Sequence, residues 1–201
     1  MMSCEYAGAP FSEPRSHPWT DVAGNSKARY YDLTAAPELI RSALEDFSPW
    51  DRYSAVGDFY SLLENLNRSS SVLESNDCAF NGPHANENAQ FAKALQCSGR
   101  VMVLYRALAL NTSKERVTWL RTALHYQLAR LDPSFRWGVI GTTLVPVRYL
   151  ALKDHGQLGQ QLMISFWAFG DSEADTMQNL ARLLKNLALA LRSVSAPVAA
   201  A

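Results

Sequence analysis

The sequence has little charge and no excess of either sign. Charged residues make up 19% of its 201 residues, and 19 basic side chains balance 19 acidic ones. Binding to nucleic acid or to an anionic membrane normally depends on a surplus of Lys and Arg, so we expect neither partner. This low charge, beside 48% hydrophobic residues, indicates more buried surface than is usual for a soluble domain.

Cysteines and long apolar runs are also scarce. Cys4, Cys78 and Cys97 form an odd and sparse set that does not fit a secreted disulfide framework. No apolar run approaches the ~18 residues of a membrane span, and residues 1–19 have neither the basic nor the apolar segment of a secretory signal. We therefore expect a soluble, cytoplasmic protein.

The chain divides into an arm, one domain and a tail. Residues 1–34 contain several Pro and Gly and show no sustained period, which predicts an irregular N-terminal arm. Residues 35–195 carry helical and strand patterns throughout and are predicted to form a single α+β domain. Residues 196–201 are expected to be a frayed tail.

Hydrophobic periodicity places the elements of this domain. Ser48 before Pro49 has the chemistry of a helix start, and the last helix is rich in leucine along a wide apolar face. We predict an antiparallel sheet with two helices packed on it, a leucine-rich C-terminal helix and a helical N-terminal extension. The predicted elements are helices at 36–47, 49–67, 112–131 and 172–194, and strands at 72–80, 100–110, 137–152 and 160–169, with a turn at 81–83.

The predicted strands are apolar on both faces. In the strand at 137–152, Val145 and Val147 share one face while Ile140 and Leu144 share the other. Because successive side chains of a strand point to opposite faces, both sides of the sheet must be covered. We expect the helices at 112–131 and 172–194 to cover one face, and the helices before residue 68 part of the other. A second copy of the chain would cover the rest, which predicts a homodimer.

The order of these elements from residue 49 to 194 resembles that of the YbjN family and of the type III secretion chaperones of the CesT class. The similar portion covers about half the chain and includes GRVMVLYRALAL, GTTLVPVRYLAL, QQLMISFWAFG and the helix that begins DSEADTMQNLARLL. The chain departs from these proteins in its longer arm, its helix at 36–47 and a polar insertion near 81–98. The resemblance implies a non-catalytic, dimeric protein that binds another polypeptide, and it transfers no functional residue.

A group of polar residues offers a second interpretation, a small-ligand site or an enzyme pocket. Asp77, Cys78 and His84 lie in a polar stretch, and Arg106 and Arg148 interrupt otherwise apolar strands. The two arginines would clamp a carboxylate or phosphate of a ligand. The same residues also fit a structural interpretation, in which the polar stretch satisfies a loop and each arginine pairs with an acid on a neighbouring strand.

Catalytic and metal-binding patterns are missing. A catalytic cysteine needs a base and an oxyanion pocket, and structural zinc typically needs two short-spaced pairs of ligands. His17, His125 and His155 are predicted to lie in the arm, on the polar side of a helix and in a loop. We therefore predict no catalytic residue, no metal and no cofactor.

Three large apolar side chains are candidates for binding a partner. Trp119 lies at the flank of the apolar face of its helix, where it would either complete the core or contact a partner. Trp167 lies in a strand, and Leu189 stands alone on the polar side of the last helix. Large aromatic side chains are enriched at protein interfaces. The leading interpretation is a protein-binding or adaptor protein with chaperone-like character, which would hold a partner segment on an apolar surface or at a sheet edge.

Overall fold

A computed structural model describes residues 1–5, 14–18, 31–88 and 90–195. The strands are β1 (Met2–Glu5), β2 (Arg15–His17), β3 (Leu73–Ala85), β4 (Leu95–Tyr105), β5 (Gly138–Tyr149) and β6 (Gln157–Gly170). The α-helices are α1 (Leu39–Ser42), α2 (Ser54–Asn67), α3 (Lys114–Leu131) and α4 (Glu173–Ser195), with 3₁₀ turns at Glu45–Trp50 and Leu108–Thr112. From α2 onward the order of helices and strands is the predicted one.

The strands form one mixed sheet in the order β1-β5-β6-β4-β3, and β2 also pairs with β5. Strands β3, β4, β6 and β5 are antiparallel neighbours, whereas β1 and β2 run parallel to β5. The α+β class is confirmed, but the prediction of a purely antiparallel sheet is wrong because the arm adds two short parallel strands. Strands of four and three residues are too short to show a two-residue period.

Helices α2, α3 and α4 cover one face of the sheet. Helix α4 contacts both α2 and α3, and α1 lies against α2. The expectation that helices before residue 68 cover the opposite face is wrong, because the apolar side of α2 packs into the same core as α4. That core includes Val56, Phe59 and Leu63 of α2, Val101 and Val103 of β4, Ile164 and Phe166 of β6, and Leu180, Leu184 and Leu187 of α4.

The face of the sheet opposite the helices is buried as well. Met102 and Leu104 of β4 and Val145, Val147 and Tyr149 of β5 are all buried within the single chain. Most apolar side chains of both faces are therefore covered, as their pattern predicts, whereas Trp167 on this face is half-buried. A second copy of the chain is not needed to keep water from this face, and the homodimer remains a prediction without that support.

The sheet is strongly curved, so strands at its two edges approach each other on the face opposite the helices. Four strand intervals separate β2 from β3, which would place them about 19 Å apart in a flat sheet. Instead, Nη1 of Arg15 lies 2.8 Å from Oδ2 of Asp77, and Nε2 of His17 lies 3.6 Å from Oε1 of Glu74. The arm thus connects the two edges.

Strand β3 continues through Asn81, Gly82 and Pro83, where the sequence predicts a turn. Its pairing with β4 shifts register between Asn81 and His84. Pro83 is tolerated because β3 ends the strand order, so its missing N–H removes no bond from the centre of the sheet. Gly82 is required because the indole of Trp50 occupies the space of a Cβ atom.

Candidate functional site

Three of the five predicted pocket residues lie on β3, yet they point in different directions. Asp77 lies on the face opposite the helices, whereas its neighbour Cys78 packs against the helix-side core. His84 lies towards the far end of the strand, with Nδ1 2.7 Å from the carbonyl oxygen of Gly82 and Nε2 3.1 Å from Nε2 of Gln96. These three side chains do not line a common cavity.

The two predicted clamp arginines have other roles. Nη2 of Arg106 donates to the carbonyl oxygens of Asn67 and Arg68, at 3.1 and 2.9 Å. Those carbonyls close the C-terminal end of α2, where unpaired acceptors carry partial negative charge, so Arg106 caps that helix. Arg148 is exposed at the end of β5, near Gly156 of the hairpin loop. The five residues therefore do not form the predicted pocket.

A different set of charged side chains meets on the face opposite the helices. We call it the arm cluster: Arg15, His17, Glu74, Asp77 and Arg100. Oδ2 of Asp77 accepts from Nη1 of Arg15 at 2.8 Å and from Nη2 of Arg100 at 3.4 Å. Burial lowers the pKa of Arg15, and its bond to Asp77 opposes that effect. The cluster joins the arm to β3 by ion pairs.

Tyr149 forms the floor beneath the arm cluster. Its ring lies 5.5 Å from the ring of His17, centroid to centroid, and its hydroxyl donates to the carbonyl oxygen of Gln160 at 2.8 Å. Burial, and then the nearby Glu74, raises the pKa of Tyr149. The phenol stays protonated at neutral pH and is committed to a backbone acceptor, which favours a structural role over proton transfer.

The described residues include no arrangement of three His, Cys, Asp or Glu side chains that would hold a metal ion. Cys97 is fully buried on β4, and burial raises the pKa of its thiol to about 12. A reactive cysteine instead needs an accessible thiolate. Cys97 is therefore a core residue.

A depression of about 240 Å³ opens beside the arm cluster. Three neighbouring strands supply its walls, and one wall is the half-buried Trp167, which the sequence predicts as a partner-binding residue. The lining residues are Ala79, Phe80 and Asn81 of β3, Ser98, Gly99 and Arg100 of β4, and Ser165 and Trp167 of β6.

Helices α3 and α4 leave large apolar side chains on their outer sides. Trp119 and Tyr126 are 46% and 57% exposed, and their spacing of two helical turns places them on one side of α3. Leu189 of the adjacent α4 is 45% exposed. Tyr126 is not among the predicted partner-binding residues, although its spacing from Trp119 is a signal that would have found it. We call these three residues, with the exposed charged residues of the two helices, the α3–α4 surface.

The exposed charge of the α3–α4 surface is mostly basic. Within α3 and α4, both of which are described in full, Glu115 is exposed, and Glu173 and Asp175 in the first turn of α4 are half-exposed and paired with Arg52 and Lys93. Arg182 forms a bidentate pair with Asp132, at 2.6 and 2.8 Å, and the guanidinium of Arg130 lies 5.1 Å above the ring of Tyr126. The exposed basic residues are Lys114, Arg116, Arg130, Arg182, Lys185 and Arg192.

No family model, curated protein or solved structure matches this chain. The resemblance to the YbjN family and the CesT-class chaperones therefore rests on the order of elements and remains a prediction. Among the helices in the described part of the chain, none is long and apolar enough to cross a bilayer.

Proposed function

We propose that this protein is a non-catalytic polypeptide-binding protein of adaptor or chaperone type, and that it binds its partner on the α3–α4 surface. The observation that carries the proposal is the exposure of Trp119 and Tyr126 on one side of α3. The opposite side of the same helix packs Val117, Leu120, Leu124 and Leu128 into the core.

The exposed aromatic area is large enough to matter for binding. A large aromatic side chain covers roughly 150–250 Å², so Trp119 and Tyr126 together leave roughly 200 Å² in water. At ~25 cal/mol per Å², covering that area would contribute about 5 kcal/mol before the entropy of association is subtracted. Trp and Tyr are also the residue types most often found as binding hot spots.

The charge of the surface indicates the chemistry of the partner. Exposed basic side chains lie on the same two helices as the aromatic pair, and Arg130 already contacts Tyr126. An acidic segment with apolar side chains at helical spacing complements this pattern, because its carboxylates would meet the cations while its apolar side covers the aromatics. Two copies of this chain joined at the α3–α4 surface would instead bring like charges together. The predicted homodimer would therefore need another face.

Docking on the helices is favoured over strand addition at the sheet edge. At one edge, β5 already pairs with β1 and β2. At the other edge, β3 has two register shifts and contains Pro83. Bulges and proline are features that discourage a further strand from pairing.

The alternative function, a small-ligand protein or enzyme built on Asp77, Cys78, His84, Arg106 and Arg148, is not proposed. Asp77 binds Arg15 and Arg100, and Arg106 caps α2. No single ligand of ordinary size would contact all five residues.

Site-specific photocross-linking in the native cell tests the proposal. The residue p-benzoylphenylalanine is introduced at position 119, or at position 137 as the control, because Trp137 is also exposed but lies outside the α3–α4 surface. We expect a discrete adduct from position 119, absent from position 137, whose cross-linked peptide is acidic. Equal adducts from both positions, adducts with nucleic acid, or no adduct at position 119 would contradict the proposal.

A second measurement uses the partner so identified. Tyr126→Ala and Leu189→Ala should each weaken its binding, by about tenfold and about threefold, because each removes apolar area from the interface. Leu158→Ala is the matched control, since Leu158 is 53% exposed but belongs to the β5–β6 hairpin. The affinity should be unchanged in that variant, and binding should weaken as the salt concentration rises.

A further inference from the structure

The depression beside the arm cluster has a regular construction. Ala79, Arg100 and Ser165 are opposite one another across β3, β4 and β6. Two residues along each strand, Asn81, Ser98 and Trp167 form a second row on the same face. Neighbouring positions in such a block lie roughly 5–8 Å apart. One small molecule would therefore touch several of these side chains at once, and the small Ala79, Ser98 and Ser165 leave room for it.

Arg100 has unused hydrogen-bonding capacity in this depression. Its bond to Asp77 is 3.4 Å long, and Asp77 is held more closely by Arg15. Nε of Arg100 is buried and has no hydrogen-bond partner among the described residues. A buried donor without an acceptor is costly, and a guanidinium is suited to bind a carboxylate with two of its N–H groups.

Two hydroxyl groups lie beside this guanidinium. No hydrogen bond joins the hydroxyl of Ser98 or Ser165 to another described side chain or backbone group. Each hydroxyl can donate to an anionic oxygen. Trp167 adds an aromatic wall one row away, which would pack against a planar body. Cation, hydroxyls and indole therefore converge on one space.

We propose that this depression binds a small monoanion, an aromatic or heteroaromatic carboxylate. Arg100 and the two serine hydroxyls hold its carboxylate, and Trp167 packs against its ring. The volume of about 240 Å³ lies below the range of drug-sized pockets, which favours a small ligand. Asp77 shares Arg100 and would repel further negative charge, which disfavours a polyphosphate. This site is separate from the α3–α4 surface, so each proposal can fail without the other.

Calorimetric titration with sodium benzoate, at constant ionic strength, tests the assignment. We expect saturable binding at one site per chain, with sodium acetate and inorganic phosphate at least tenfold weaker. Arg100→Gln should weaken benzoate binding at least tenfold, and Ser165→Ala about threefold. Arg148→Gln is the matched control, an exposed strand arginine outside the depression, and should leave the affinity unchanged.

Several results would overturn the inference. Benzoate binding that does not saturate would do so. A dissociation constant for benzoate no lower than that for phosphate would do so as well. Equal weakening in Arg148→Gln would show general attraction to positive charge in place of a built site. Ser165→Ala keeps the test decisive if Arg100→Gln does not fold, because Ser165 has no ion pair to lose. Unchanged affinity in a folded Ser165→Ala protein would also contradict the proposal.

Discussion

At the scale of single residues, His125 is a polar side chain whose partner lies outside its own helix. His125 is predicted to face solvent, yet its Nε2 lies 2.6 Å from Oγ1 of Thr142 and the side chain is half-buried against the sheet. The helical wheel locates the core side of α3 correctly but does not show that β5 also reaches the flank of the helix. Burial lowers the pKa of His125 from its ordinary value of 6.5.

His125 should make the stability of the fold depend on pH. Its pKa is lower in the folded chain than in the unfolded chain, so between those two values the unfolded chain binds more protons. The stability that the fold gains from neutral His125 is therefore fully present above about pH 6.5. The free energy of unfolding decreases as the pH falls below that value. Urea unfolding at pH 5 and pH 8 measures this difference, which His125→Gln should reduce. His155→Gln, in an exposed loop, should retain it, and an equal pH dependence in His125→Gln would show that His125 is not the source.

Gly82 is a second residue whose role depends on a distant contact. A Cβ atom at this position would collide with the indole of Trp50, so Gly82→Ala should lower the free energy of unfolding by about 1–3 kcal/mol. Gly57→Ala is the contrasting control, because Gly57 lies in α2 and a Cβ atom added there would meet nothing within 4 Å. That change should stabilise the protein by about 0.5–1 kcal/mol. Chemical denaturation checks both, and a neutral Gly82→Ala would refute the packing argument.

At the scale of elements, long periodic segments are predictable from the sequence and short or edge segments are not. Helix α4 spans 173–195 against a predicted 172–194, because its apolar face repeats over many turns. Strand β4 spans 95–105 against a predicted 100–110, because Leu108–Thr112 is apolar in composition but turns. Asn111 fixes that turn by bonding both the N–H and the carbonyl oxygen of Tyr105, each at 2.8 Å. Tyr105 is only six residues from Asn111, but the apolar composition of the segment between them predicts a continuing strand instead of a turn.

The attachment of β2 should depend on the pair between Arg15 and Asp77. Both side chains are largely buried, and a double-mutant cycle with Arg15→Met and Asp77→Asn should give a coupling energy of about 1 kcal/mol. In Arg15→Met the backbone amide of Leu150, which donates to the carbonyl oxygen of His17 at 2.9 Å, should exchange its hydrogen faster. Arg41→Met removes an exposed pair with Glu64 and serves as the control. Unchanged exchange at Leu150 would mean that the pair does not hold the strand.

At the scale of the whole molecule, the sequence predicts the two apolar faces of the sheet but not what covers them. The curvature that brings β2 to β3 arises from pairings across the entire sheet, so the arm cluster has no local signal. Leu189 is predicted on the polar side of its helix because a helical wheel needs only local spacing, whereas the position of Trp119 at the flank fits either the core or a partner contact. The resulting molecule buries most apolar side chains of both faces by itself and keeps an aromatic, basic surface on α3 and α4.

Hydroxyl-radical footprinting, performed in intact cells and on the purified protein, tests most directly whether that surface is occupied. We expect the oxidation rates of Trp119 and Tyr126 to fall at least fivefold in cells, while the rate of Trp137 stays the same. Trp119 and Tyr126 that are as reactive in cells as in the purified protein would contradict the central claim, because the α3–α4 surface would then be open to water where the protein works.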